Sequence, residues 1–209
     1  MSIGFDQNTA EGPKSKFIQV SPETAIADGR FVVGLEVGEG DYGYGNIAWL
    51  QCDVEDTTGA KASARWFEPV MGGSWIKTEA DLKKAQNSLV SLVANLVRRY
   101  KGEDYVMTGA ATFKEFFEKA VRAIQSTPNW DKKELRIVVI NGRPTDDGAK
   151  FPTLPRYAPV FADKGDTTKL SLTKKDGSMK YDVEAWVAPA VTPDDDITIG
   201  GDTESTVDF

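Results

Sequence analysis

The sequence predicts a mainly β fold of antiparallel strands with two helices set into its middle. Three observations carry this. Apolar and polar residues alternate toward both ends of the chain, an apolar period of three to four residues marks the middle, and strands and helices do not alternate as the βαβ units of a parallel sheet would.

Taken in order, residues 16–20 form a short first segment. In the first major strand Phe31, Val33, Leu35 and Val37 alternate with Arg30, Val32, Gly34 and Glu36. Residues 38–46 contain four glycines and predict a loop that ends that strand. In 47–54, Ala48, Leu50, Cys52 and Val54 face a core, and Ile47, Trp49, Gln51 and Asp53 face away. In 61–68, Ala62, Ala64 and Trp66 share one side and Ser63, Arg65 and Phe67 the other. Leu82, Ala85, Leu89, Leu92, Val93, Leu96 and Tyr100 then recur at helical spacing after a capping pair, Thr78 and Asp81, so a helix runs over 79–100. Thr112 and Glu115 form a second capping box, and Phe113, Phe116, Phe117, Ala120, Val121 and Ile124 carry a helix on to Pro128, which stops it. Strands resume at 135–140 and 157–162. Two more, 168–173 and 180–187, flank a hairpin turn at Asp176-Gly177.

Composition narrows the chemistry. With 209 residues, one cysteine and no histidine, the chain cannot carry a Ser-His-Asp triad, a Cys-His pair, His-ligated zinc or an internal disulfide. A soluble protein without metal or cofactor is expected, and the N-terminus reads as neither a signal nor a transit peptide. Cys52, on the apolar side of its strand, reads as a buried structural thiol. The acid groups Asp146-Asp147, Asp53/Glu55/Asp56 and Asp194–Asp196 lack a nuclease-like spacing and read as solvated surface. The glycines around Tyr42 match no phosphate-cradling loop.

The formal net charge of −7 is unevenly spread. Residues 69–180 hold 20 Lys and Arg against 13 Asp and Glu, a net of +7, whereas 1–68 hold 5 against 11, a net of −6. The last twenty residues carry Asp194, Asp195, Asp196, Asp202, Glu204 and Asp208 with no cation, and end on Phe209. Two parts are therefore expected: a folded body, 1–189, and a disordered acidic tail, 190–209, whose aromatic tip suits docking to a partner.

Sequence-tolerant binding of a single nucleic-acid strand needs aromatic faces for the bases and cations for the phosphates. Trp49 shares a strand face with Gln51, and Phe67 with Arg65, so two aromatics fall on the polar side of neighbouring strands. Tyr42 and Tyr44 in the glycine-rich loop are candidate clamps. Trp66 falls on the core side, and Trp75 is open to either reading. Arg136, Arg143, Lys150, Arg156, Lys174 and Lys175, all in the basic segment, are candidates to line a cationic groove with Arg65.

Together these parts resemble the bacteriophage single-stranded DNA-binding proteins built on an OB-fold. The resemblance rests on Trp49, Arg65, Trp66 and Phe67 in the strands, the helices over 79–126, the segment from Phe151 to Tyr157, and the acidic tail ending in Asp208-Phe209. It implies an OB-like antiparallel barrel of five or more strands, with two helices between the third and fourth major strands and an added C-terminal hairpin. It also implies a non-catalytic protein of the infected host's cytoplasm that coats single-stranded DNA during replication or recombination, with Trp49, Trp66, Phe67, Tyr42, Tyr44 and Tyr157 stacking on bases. The tail would recruit replication proteins and compete with DNA. Competing readings are a non-catalytic phage interaction or virion-assembly module, and a metal-dependent nuclease using Asp146 and Asp147.

Overall fold

The computed structural model describes residues 17–72, 76–146 and 148–185. Trp75, Asp147 and the whole tail from Asp194 to Phe209 lie outside them. The elements run β1 (Ile26–Asp41), β2 (Asn46–Asp56), β3 (Lys61–Phe67), α1 (Glu79–Lys101), α2 (Phe113–Gln125), a short 3-10 turn (Trp130–Lys132), β4 (Glu134–Val138), β5 (Ile140–Asn141), β6 (Pro152–Thr153) and β7 (Phe161–Asp163).

The main sheet has five antiparallel strands in the order β3-β2-β1-β4-β7, and β5 pairs with β6 in a second, two-stranded sheet. The mainly β class and the helix pair between third and fourth strands are as the sequence predicts. The expected barrel does not close, because β3 and β7 share no ladder. The Trp66 and Phe161 rings stand edge to face between them at 6.3 Å.

Three other expectations are corrected. β1 does not stop at Gly38 but continues to Asp41, because β2 pairs with it along its whole length and satisfies its backbone. The single alternation expected across 31–37 is broken by a bulge at Val33, which shifts the register between Val32 and Gly34. Leu35 and Val37 consequently pack toward the core, whereas Phe31 lies opposite Glu55 on the other face. The C-terminal hairpin keeps its turn, with the Lys174 amide donating to the Ser178 carbonyl, but its strands reduce to one bridge between Thr173 and Met179.

Both helices start where their caps predict. Thr78 and Asp81 exchange the two hydrogen bonds of a full capping box. At α2, the Thr112 hydroxyl accepts from the Glu115 amide, but the Glu115 carboxylate reaches back to the Ala111 amide instead. The apolar faces of the helices cover one side of the sheet. Leu92, Val93, Leu96, Phe117 and Ile124 join Leu50, Cys52, Val54, Leu135 and Ile137 in one buried core. Cys52 is completely buried within it, and burial pushes its thiol well above the ordinary range.

Polar groups tie the ends of this core together. The buried Arg30 guanidinium donates to the carbonyls of Ala25 and Ile137, spanning the β1–β4 junction, and burial lowers its pKa to about 10. On α1, the Asn95 amide accepts from the backbone N–H groups of Val160 and Phe161 and donates to the Phe161 carbonyl. That side chain clamps the short edge strand β7, and the strand expected from Tyr157 begins only at Phe161. The intervening Pro159 has no amide hydrogen to give a ladder.

Candidate nucleic-acid interface

β1, β2 and β3 have a second face, opposite the helices. In its first rung Trp49 lies between Gly38 and Phe67; in the next, Gln51 lies between Glu36 and Arg65; in the third, Asp53 lies between Gly34 and Ser63. The pleat sends alternate residues to opposite sides, so Leu50, Cys52 and Trp66 enter the buried core and Trp49, Gln51 and Phe67 lie on the other face.

The glycines of β1 make the platform possible. A Cβ built on Gly38 would stand 2.2 Å from Cζ2 of Trp49, well inside van der Waals contact. The indole therefore lies down on bare backbone instead of standing off the sheet. From the other side strand, the Arg65 guanidinium carbon sits 4.1 Å from the centre of the Trp49 ring, a cation-π contact. Arg65 also donates to the Gln51 side-chain oxygen at 2.6 Å, and Gln51 in turn donates to Asp53. This network fixes the plane of the guanidinium over the indole.

Phe67 is 38% exposed and Tyr42 45%, and their rings meet edge to face at 5.0 Å. Tyr42 reaches back over Gly40, and Tyr44, 55% exposed, lies over Gly72. The turn carrying them is held by Asp41, whose carboxylate accepts from the Gly43 amide. Trp49, Phe67, Tyr42 and Arg65 thus form one contiguous aromatic and cationic surface, with Tyr44 at its rim.

Trp66 does not belong to it. It is only 3% exposed, and its indole N–H donates to the Pro155 carbonyl, so no ring face is open to a base. Strand alternation put it on the core side, and the roles carried over by resemblance do not hold for it. Tyr157 is 51% exposed but lies on the helix side, against Lys83, Lys84 and Asn87 of α1.

The cations expected to form one groove are dispersed. Arg136 is engaged by Asp28 at 2.9 Å and Lys150 by Asp182 at 2.6 Å. Arg143, Arg156, Lys174 and Lys175 are exposed in three loops. Of the predicted phosphate-binding set, Arg65 alone joins the aromatic platform, where Glu36 and Asp53 share its face. Part of the net +7 of the middle segment is offset by carboxylates outside it, in the ion pairs Lys114–Glu39, Arg136–Asp28 and Lys150–Asp182.

The carboxylates are similarly committed. Asp53 accepts from Ser63, Glu55 faces Lys61 at 3.7 Å, and Asp56 accepts from the Thr58 amide and hydroxyl and the Ala60 amide. Among the described residues no three Asp, Glu or Cys side chains gather as a metal-binding set. No helix among them is long and apolar enough to cross a membrane.

Sequence reasoning missed two features of this surface. Gly38 counts locally as a strand breaker, whereas a glycine paired across from a tryptophan lets the ring lie on the backbone. Phe17 and Phe151, about half exposed and edge to face at 5.5 Å, form a second aromatic pair beside the start of β3. No protein-family model and no curated protein matches the chain.

Proposed function

We propose that this protein is a non-catalytic, phage-type single-stranded DNA-binding protein that coats exposed strands in the cytoplasm of an infected host during replication or recombination. The observation that carries the reading is the helix-free platform of Trp49, Phe67, Tyr42 and Arg65. Aromatic rings tolerate every base because every base has a π face, and a planar guanidinium offers both a stacking plane and a charge for phosphate. Bases would stack on Phe67, Tyr42 and the Trp49–Arg65 pair, and Tyr44 would close over the rim. The acidic tail, Asp194 to Phe209, would recruit replication proteins and compete with DNA for the cations.

Titration of the full chain with oligo(dT) while following tryptophan fluorescence tests this. Quenching that saturates and reverses with salt is the expected result. Trp49→Ala should weaken binding by about 1–3 kcal/mol, roughly 5- to 150-fold. A wild-type protein that gives neither quenching nor retention of oligo(dT) at low salt sinks the proposal.

A further inference from the structure

On the helix side, an open groove of about 590 Å³ runs between the outer face of α1 and the loop before β7. Its walls are Ala80, Lys83, Lys84, Asn87, Ser88 and Ser91 of the helix, faced by Tyr157 and Ala158 of the loop. No carboxylate lines it, in a chain whose acids outnumber its bases. Lys83 and Lys84 are exposed and lie within ion-pair distance of no carboxylate among the described residues, unlike Lys114, Lys119, Lys164 and Lys169, although the Lys84 charge is felt by Asp81 one turn before it. Arg156, next to Tyr157, is likewise exposed and makes no ion pair among the described residues.

The loop wall is held in place at both ends. The Trp66 indole N–H fixes the Pro155 carbonyl, and the Asn95 amide fixes Val160 and Phe161. Between these anchors Tyr157 keeps half its surface open, with two ammonium groups, an amide and hydroxyls across the groove. A hydrophobic core contact would bury such a ring, and a solvated lysine face would not set a ring against it. We infer that this groove is a second binding site for single-stranded DNA, with Lys83 and Lys84 contacting phosphates and Tyr157 stacking on a base.

The two sites lie on opposite faces of the sheet, related through its edge strand β3: the Trp66 indole N–H, on the core side, donates to the Pro155 carbonyl, and Tyr157 is two residues farther on, at most about 7 Å of chain. The inference requires a strand to run from Phe67 around that edge into the groove. The inference rests on the proposed single-strand binding and assigns its continuation beyond the sheet.

The test compares the salt dependence of oligo(dT) binding, 25 nucleotides long, for the full-length wild type, the Lys83→Ala/Lys84→Ala double variant and Tyr157→Ala. A matched control, Arg122→Ala/Lys132→Ala, removes two exposed cations elsewhere that make no ion pair among the described residues. Loss of two phosphate contacts should make the slope of log affinity against log salt shallower by roughly 1.4, and Tyr157→Ala should weaken binding about fivefold or more. The control should keep the wild-type slope. An unchanged slope in the lysine variant, with wild-type quenching intact, overturns the groove and leaves the platform standing. An equal change in the control overturns it too, because the effect is then one of net charge. Absence of any wild-type binding removes both sites together.

Discussion

Two tryptophans on neighbouring strands, Trp49 and Trp66, show what separates the two faces of this sheet. Trp66 is enclosed, with Phe161 against its ring and the Pro155 carbonyl on its N–H, and so helps to hold the core. Trp49 rests on the bare backbone of Gly38 under the Arg65 guanidinium, on a face that no helix among the described residues covers. The residue type is the same, but the pleat and the packing of distant segments give one an enclosed place in the core and set the other on the outer face, between the Gly38 backbone and the Arg65 guanidinium. Exposure of an aromatic is thus a property of the sheet face and not of the residue.

The largest effect expected on this contrast is at Trp66. Trp66→Ala should cost about 3–5 kcal/mol of stability in urea unfolding, because it opens a cavity and strips a buried carbonyl of its donor. Trp49→Ala, by contrast, should leave the unfolding midpoint much closer to that of the wild type. Equal destabilisation by the two substitutions would break the distinction between the faces.

Gly38→Ala gives a finer probe. The added methyl would overlap the indole, so Trp49 must lift from the sheet and leave Arg65. The expected outcome is a shifted tryptophan emission and a several-fold loss of oligo(dT) affinity, with the far-ultraviolet spectrum retained. Unchanged emission and affinity would mean that the flat seat of Trp49 does not matter.

The smallest effect concerns pH. On the covered side, the side chain of Arg99 is almost completely buried and joins Glu103, just past the end of α1, to Asp163 of β7. Hydrogen bonds from Arg99 and then Lys169 hold the Glu103 pKa down to about 2. A depressed carboxylate contributes stability above its ordinary pKa and loses it as pH falls toward the folded-state value. Glu103→Gln should therefore flatten the loss of stability between about pH 4.5 and about pH 2, modestly because the carboxylate is solvent-exposed. The open face should behave differently near neutrality: with no histidine in the chain, oligo(dT) affinity at fixed ionic strength should stay nearly level from about pH 6 to about pH 8.

Much of the fold was legible in local patterns. The helices begin at Thr78 and Thr112 because a hydroxyl there caps the exposed amides, a signal that needs only neighbouring residues. Strands β2 and β3 were readable because period-two alternation assigns each side chain a face, which placed Trp49, Gln51, Arg65 and Phe67 together before their register was known. The glycines of β1 misled because a local rule treats glycine as a break, whereas pairing with β2 supplies the missing order. The groove at Tyr157 could not be read at all, since its two walls are more than sixty residues apart in sequence.

The sequence by itself determined which elements form, which side of each strand is polar, and that histidine and disulfide chemistry are absent. Tertiary structure decided which polar side would stay open, which cations would be spent in ion pairs, and whether the sheet would close. The reason is physical: caps and alternation are set by contacts between near neighbours, but exposure and charge pairing depend on which distant segments pack together. Trp66 is core because Phe161 and Pro155, distant in sequence, close over its side of β3, and Trp49 lies on the opposite face.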